Sequence, residues 1–263
     1  MDSKMAKKDL KFHQRLYKSG RKAAKESLNS IGNFLIRQSP ITAQAVMDSS
    51  DFPWAAMLES NFPVIERELD RVMEFRESLP QLHEVQREQY RVSADINWKV
   101  FVLSGWGHVS EAGERMCPET ARIVREIPGV RSALFSILDA GAHIPEHRGH
   151  IKGLLRGHLA MRVPNERDKC FLRVDDKICH WKEGKLLIFD DTYRHEVQNN
   201  TDEERIVLLL HFDRPMNRLG RLANALLMSV IRNSPFVKKA IRNHNQWEDQ
   251  FRRQLAAAGV QIS

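Results

Sequence analysis

From residue 98 onward the apolar residues come in short runs broken by turn residues. WKVFVLSG, RSALFSIL, LLRGHLAMRV, CFLRV, KLLIFD and RIVLLLHFD have the length and the β-branched or aromatic content of strands. Helical patterning is missing between most of them. They therefore predict a mainly β sandwich or jelly roll with helical additions, not a parallel α/β sheet. On either side the spacing changes. Residues 6–36 set Leu10, Leu16, Ala24, Leu28, Ile31 and Leu35 among many Lys and Arg, a helical pattern that Gly20 and Gly32 weaken. A second helical stretch covers about 53–79, split near Pro63, with Val64, Ile65, Leu69 and Val72 at helical spacing. A third begins at Pro118, a favoured first-turn residue, and stops before Pro128-Gly129. After Arg214-Pro215, the residues Leu219, Leu222, Leu226, Leu227 and Val230 form a stripe that ends before Pro235. A last helix spans about 236–256. The expected organisation is a basic helical segment over 1–50, a jelly-roll domain with preceding helices over 51–215, and basic helices over 216–263.

Charge sharpens that division. The net charge of the 263 residues is +7. Residues 1–40 hold 10 Lys/Arg against 3 Asp/Glu, and residues 214–263 hold 9 against 2, so the middle of the chain is acidic. Basic character confined to the two ends suits an anionic surface, such as a membrane face or nucleic acid; solvated helix faces are the alternative. Aromatic interleaving of the kind that binds single strands is sparse, which argues against nucleic acid. No apolar run approaches the roughly 18–20 residues that cross a bilayer, and the first twenty residues lack the apolar core of a secretory signal. Cys117, Cys170 and Cys179 are odd in number and irregular in spacing, which reads as reduced thiols in a cytoplasmic protein.

Candidate chemistry centres on HIPEHRGH, residues 143–150. Seven of the eleven histidines lie between His143 and His211. His143 and His147 have the spacing of two ligands on a helix face, but Gly141, Pro145 and Gly149 would interrupt a helix. The stretch therefore reads as a loop between strands. In the strand that follows, alternation sets Leu154, Arg156, His158, Ala160 and Arg162 on one face. That face is either solvated or lines a cavity in which Arg156 and His158 hold an anion, a guanidinium fork being matched to a carboxylate. His195 falls just past KLLIFD, and Arg205 opens the last strand with Val207, Leu209 and His211 on its face. His180 and His211 are read as structural.

The ordered run CPETARIVREIPGVRSALFSILDAGAHIPEHRG, LLRGHLAMRVP, CFLRV, HWKEGKLLIFDDTYRHEVQN and RIVLLLHFDRP resembles the aspartyl/asparaginyl β-hydroxylase family. The resemblance covers roughly residues 98–215 and implies a double-stranded β-helix (jelly-roll, cupin-like) fold. It also implies an iron(II)- and 2-oxoglutarate-dependent dioxygenase that uses O2. On this resemblance the metal ligands fall on His147 and His195. The contacts to the C1 carboxylate of 2-oxoglutarate fall on Arg156 and His158, and those to its C5 carboxylate on Ser136 and Arg205. Such iron sites usually add one carboxylate to two His. The expected position, two after His147, is Gly149, so the resemblance implies a site completed by water; the spacing argues against Glu146 or Asp191 as the third ligand. His143 and His150 are expected outside the first coordination sphere.

One branch of the family hydroxylates Asp or Asn in polypeptides. The branch that this chain resembles at GW, CPETARIVREIPGV and FDDTYRHE hydroxylates acyl chains of membrane lipids. A lipid substrate is therefore expected ahead of a polypeptide, with a peripheral position at the inner face of the membrane through the basic ends and the 219–230 stripe. A cupin-like binding module without catalysis is the non-enzymatic alternative.

Overall fold

The computed structural model describes residues 26–86 and 97–257, so most of the expected N-terminal segment lies outside the described residues. A helix over 26–37 (α1) leads to a short strand, β1 (Val46–Met47), and to helices α2 (Ala55–Ser60), α3 (Phe62–Met73) and α4 (Leu82–Val85). Strands β2 (Trp98–Gly105) and β3 (His108–Val109) form a hairpin, followed by α5 (Glu111–Met116) and α6 (Pro118–Arg125). Then come β4 (Val130–Leu138), β5 (His143–His147), β6 (Leu154–Arg162), β7 (Cys170–Val174) and β8 (Lys177–Cys179). Strands β9 (Leu186–Phe189), β10 (His195–Asn199) and β11 (Arg205–Asp213) complete the sheets, and α7 (Arg218–Arg232) and α8 (Pro235–Ala257) follow.

The strands form two antiparallel sheets: seven strands in the order β1-β9-β6-β11-β4-β2-β3, and four in the order β5-β10-β7-β8. This is the jelly roll that the short apolar runs predict. The large sheet is apolar on both faces because each has a partner. Its outer face, with Phe101, Phe135, Leu159, Ile206, Leu208, Leu210 and Phe212, packs against helical Ile65, Leu69, Val72, Ile123 and Phe251. Its inner face, with Trp98, Val100, Leu134, Ala160, Val207 and Leu209, meets Ile144, Leu172, Val174 and Val197 of the small sheet.

Two buried glutamates fasten the helices. Helix α3 shows the expected spacing, with Ile65, Glu68, Leu69 and Val72 buried and Pro63 in its first turn. The Glu68 carboxylate accepts from the Glu119 N–H at 3.1 Å, the Thr120 N–H at 2.7 Å and the Thr120 hydroxyl at 2.6 Å. It thereby satisfies the free amides at the start of α6. Glu248 of α8 does the same for α5, accepting from the Ala112 N–H at 2.7 Å and the Ser110 hydroxyl at 2.7 Å.

One local expectation fails. HIPEH is a strand, β5, and not a loop. His195 lies past the KLLIFD strand, β9, as expected, and opens the next one, β10. Pro145 is tolerated because β5 is the edge of its sheet.

Candidate active site

A bulge sets the geometry of the two central histidines. His147 pairs with His195 across β5 and β10, whereas Ile144 pairs with Val197. Three steps along β5 thus oppose two along β10. The extra residue turns His147 to the same side as Ile144, against strict alternation. Both side chains line the space between the sheets, and the imidazoles of His147 and His195 lie with centroids 4.2 Å apart and planes at 54°. Each ring is oriented through Nδ1, which donates to a backbone carbonyl two residues upstream. The distances are 2.8 Å from His147 to Pro145 and 3.0 Å from His195 to Tyr193. Carbonyls only accept, so the tautomer is fixed and each Nε2 keeps its lone pair. Burial, reinforced by the Arg156 charge, pushes His195 down to about 3 and lowers His147 as well. Both are neutral near pH 7 and able to bind a metal ion.

The loop that carries His195 is anchored from below. Asp190 accepts from the Thr192 N–H at 2.9 Å and the Thr192 hydroxyl at 2.6 Å, and pairs with the fully buried Arg214. The next residue, Asp191, accepts from Arg156 Nη2 at 2.9 Å. Its backbone carbonyl accepts from the Gly149 N–H at 2.7 Å, and a Cβ at position 149 would come within 2.4 Å of Asp191 Oδ1. The Asp191 carboxylate therefore fills the space that a side chain two residues after His147 would need. Glu146 turns outward, to Arg173 at 3.0 Å and Arg194 at 2.7 Å.

Arg156 is the hub of this site. Its Nε donates to His211 Nε2 at 3.0 Å, and its Nη1 lies 3.5 Å from His195 Nε2. Since His211 Nε2 accepts, its Nδ1–H donates to the Ser132 hydroxyl at 2.8 Å. Burial and the Arg156 charge push His211 down to about 3. His211 is thus a positioning residue for Arg156, a role the sequence reading missed. The available signal was its place on the alternating face of β11 that begins with Arg205.

Deeper between the sheets the polar groups lack partners. Arg205 is 1% exposed, with its guanidinium 4.9 Å from the Trp181 ring, yet its Nε and Nη1 make no hydrogen bond. Burial lowers it to about 10, which leaves it charged at neutral pH. His158 is 3% exposed between Trp181 and Phe189, with neither ring nitrogen bonded. Burial, followed by the charges of Arg205 and Arg156, holds it well below the usual range. The Ser136 hydroxyl accepts from Trp98 Nε1 at 2.9 Å. Unpaired buried cations and donors are costly, and a carboxylate-bearing ligand would complete them.

One cavity is lined by all six residues singled out from sequence: Ser136, His147, Arg156, His158, His195 and Arg205. His143 lies outside it, exposed and 3.0 Å from Glu196, and His150 is exposed. His180 bonds the Arg167 carbonyl at 2.9 Å.

Two facing sheets around a polar cavity define a jelly-roll protein of the cupin type. The family profile described as Aspartyl/Asparaginyl beta-hydroxylase matches residues 59–215. The ornithine lipid ester-linked acyl 2-hydroxylase of Rhizobium tropici is 41% identical over 226 residues, 86% of this chain and 78% of that protein. Human aspartyl/asparaginyl beta-hydroxylase is 31% identical over 119 residues, 43% of this chain but only 15% of its own length. A solved Pseudomonas putida prolyl-4-hydroxylase aligns with 60% of this chain and 87% of its own, at 17% identity and a TM-score of 0.40. The chain belongs to the aspartyl/asparaginyl beta-hydroxylase family, a family of enzymes that hydroxylate their substrates.

Proposed function

We propose that this protein is an iron(II)- and 2-oxoglutarate-dependent hydroxylase acting on an acyl chain of a membrane lipid. The observation that carries the co-substrate is the unpartnered Arg205 and His158 at the bottom of a cavity with two neutral histidines in its wall. His147 and His195 would hold iron through Nε2. Arg156 and His158 would hold one carboxylate of 2-oxoglutarate, and Arg205 with Ser136 the other, charge-assisted pairs being the strong ones. The bound group would supply the oxidising power: one oxygen atom of O2 enters the substrate C–H bond, the other enters succinate, and CO2 leaves. The chain orients and shields. His211 aims Arg156, Asp191 neutralises it, Trp98 lines the cavity, and Trp181 packs against His158 and Arg205. With Gly149 in place of a carboxylate, the chain would supply two histidines to the metal and water would supply the rest, with the Asp191 carboxylate beside Gly149 as a hydrogen-bond acceptor. The direct test is lipid mass spectrometry of cells with and without the chain. One oxygen should be lost from an acyl chain when the protein is absent, and purified protein should form succinate only with iron(II) and 2-oxoglutarate. Unchanged lipids together with an oxygen lost from Asp or Asn of a polypeptide would replace the lipid reading with the peptide one.

Helix α7 supports a lipid substrate independently. Its inner face is narrow: only Gly220, Asn224 and Met228 are buried, and Asn224 Nδ2 donates to Asp213 Oδ1 at 3.0 Å. Its apolar stripe faces outward, with Leu219, Leu222, Leu226 and Val230 58–70% exposed, and Arg218, Arg221 and Arg232 on the same helix. Such a stripe beside basic residues suits the interface of an anionic bilayer. Among the described residues no helix is long and apolar enough to cross a membrane. The protein should therefore sediment with vesicles containing anionic lipid, and less so as salt rises, because each Lys or Arg near the surface contributes about 1 kcal/mol. Leu222→Glu with Leu226→Glu should cut vesicle binding by at least about tenfold, from the lost burial of two leucines, without unfolding the chain. Equal sedimentation of variant and parent would remove α7 as the membrane face.

A further inference from the structure

A second cluster of metal-ligating side chains lies far from the cavity in the fold, where the edge of the large sheet meets α8. His108 belongs to β3, the last strand of that sheet, and His244 and Glu248 occupy successive turns of α8. One ligand atom from each of the three lies within 4.8 Å of the others. His244 is 3% exposed and neither of its ring nitrogens has a hydrogen-bond partner; His108 Nε2 is also buried and unpartnered. A buried imidazole bonded at neither nitrogen is rare, because each lost bond to water has a cost. One such ring, and the buried unpartnered Nε2 of a second, around one carboxylate point to something that would satisfy all three.

We infer that His108, His244 and Glu248 form a binding site for a divalent first-row cation of the Zn2+ type, separate from the hydroxylase site and fastening α8 to the sheet. Two imidazoles and a carboxylate are a donor set that Zn2+ accepts, with water as a fourth ligand. Bonds of about 2.0–2.2 Å bring tetrahedral ligand atoms to roughly 3.3 Å from one another. His244 Nε2 and Glu248 Oε1 stand 3.8 Å apart, so small side-chain rotations close the set. Burial lowers His244, which keeps the imidazole neutral with a free lone pair. The hydrogen bonds from Ser110 and Ala112 hold Glu248 Oε1 in place, the outer support that metal-binding carboxylates normally have. Half-buried His108 gives the ion its way in. The two glutamate caps differ in this respect: Glu68 faces Thr120 and the α6 amides, whereas Glu248 also lies beside His244 and His108, whose Nε2 atoms have no partner.

The test uses the full chain carrying His147→Ala and His195→Ala, which removes the proposed iron ligands and makes the result independent of the hydroxylase reading. After zinc loading and desalting, this variant should retain one equivalent of zinc. Cobalt in its place should give the intense visible absorption of a four-coordinate ion. Adding His108→Ala or His244→Gln should abolish both signals. His108 is half-buried at the sheet edge, so its loss leaves a folded chain, checked by circular dichroism, even if His244→Gln does not fold. In a chain with His147 and His195 intact, His108→Ala should lower the zinc stoichiometry by one. Absence of zinc and of the cobalt spectrum from the double variant, or their persistence after His108→Ala, overturns the site.

Discussion

His147→Ala and His195→Ala should each abolish iron binding and succinate formation. The two rings face each other at 4.2 Å and are each held by a backbone carbonyl at Nδ1, so neither has a substitute. Gly149 offers no side chain, and the nearest carboxylate, Asp191, is engaged by Arg156 at 2.9 Å. A metal left with one imidazole and water is held weakly. The loss should exceed the roughly 10- to 100-fold typical when only an outer partner of a metal ligand is removed. Both sites are on the cavity wall, so the folded chain survives. His143→Ala is the control: that residue is exposed and pairs only with Glu196, and its activity should stay within about twofold, as for surface substitutions. Anaerobic iron titration and succinate assays read all three variants. Full turnover by His147→Ala or His195→Ala would take that residue out of the metal site. A collapse in His143→Ala would mean that the wrong histidine of HIPEHRGH had been chosen.

How much of this was legible in the sequence differs from element to element, for physical reasons. The strands of the large sheet could be read because both their faces are buried, which makes RIVLLLHFD and RSALFSIL nearly continuous apolar runs. Strand β5 could not. Of its five residues only Ile144 is buried, Pro145 is allowed only because the strand is an edge, and the bulge breaks alternation at the point where His147 turns inward. The face of Arg156 and His158 was found by alternation, but whether it met water or a cavity depended on the small sheet laid over it. That sheet is brought there by pairing distant in the chain, of β5 with β10 and of β10 with β7. His211 reads as structural in the sequence, because its bond to Arg156 exists only across the β11–β6 register. The stripe on α7 was visible as a stripe, but its direction was not. The inner face of that helix is defined by Gly220 and by the bond from Asn224 to Asp213, contacts that carry no hydrophobic signal. The resemblance to the family supplied what pattern alone left open, the assignment of Ser136 and Arg205 to one anion.

Arg205→Ala should raise the apparent 2-oxoglutarate constant by roughly 30- to several-thousand-fold while leaving iron affinity nearly unchanged. The span follows from the 2–5 kcal/mol lost when one partner of a buried, hydrogen-bonded charge pair is removed. Two features place Arg205 at the upper part of it. The guanidinium is 1% exposed, so water cannot replace it. Nε and Nη1 both lack partners, so donors on two sides of the guanidinium are open to a carboxylate. Arg205→Lys keeps a charge but not the fork, and its constant should fall between those of the parent and Arg205→Ala. The ligand-free Ala variant should stay folded, because the lost group has no bonding partner at either atom and its removal relieves an uncompensated buried charge. Loss of the Trp181 contact at 4.9 Å works in the opposite direction and is the reason to measure the melting temperature alongside the kinetics. A constant unchanged in Arg205→Ala, with the chain folded and iron bound, would show that 2-oxoglutarate does not reach this residue and would leave the buried guanidinium without its proposed partner.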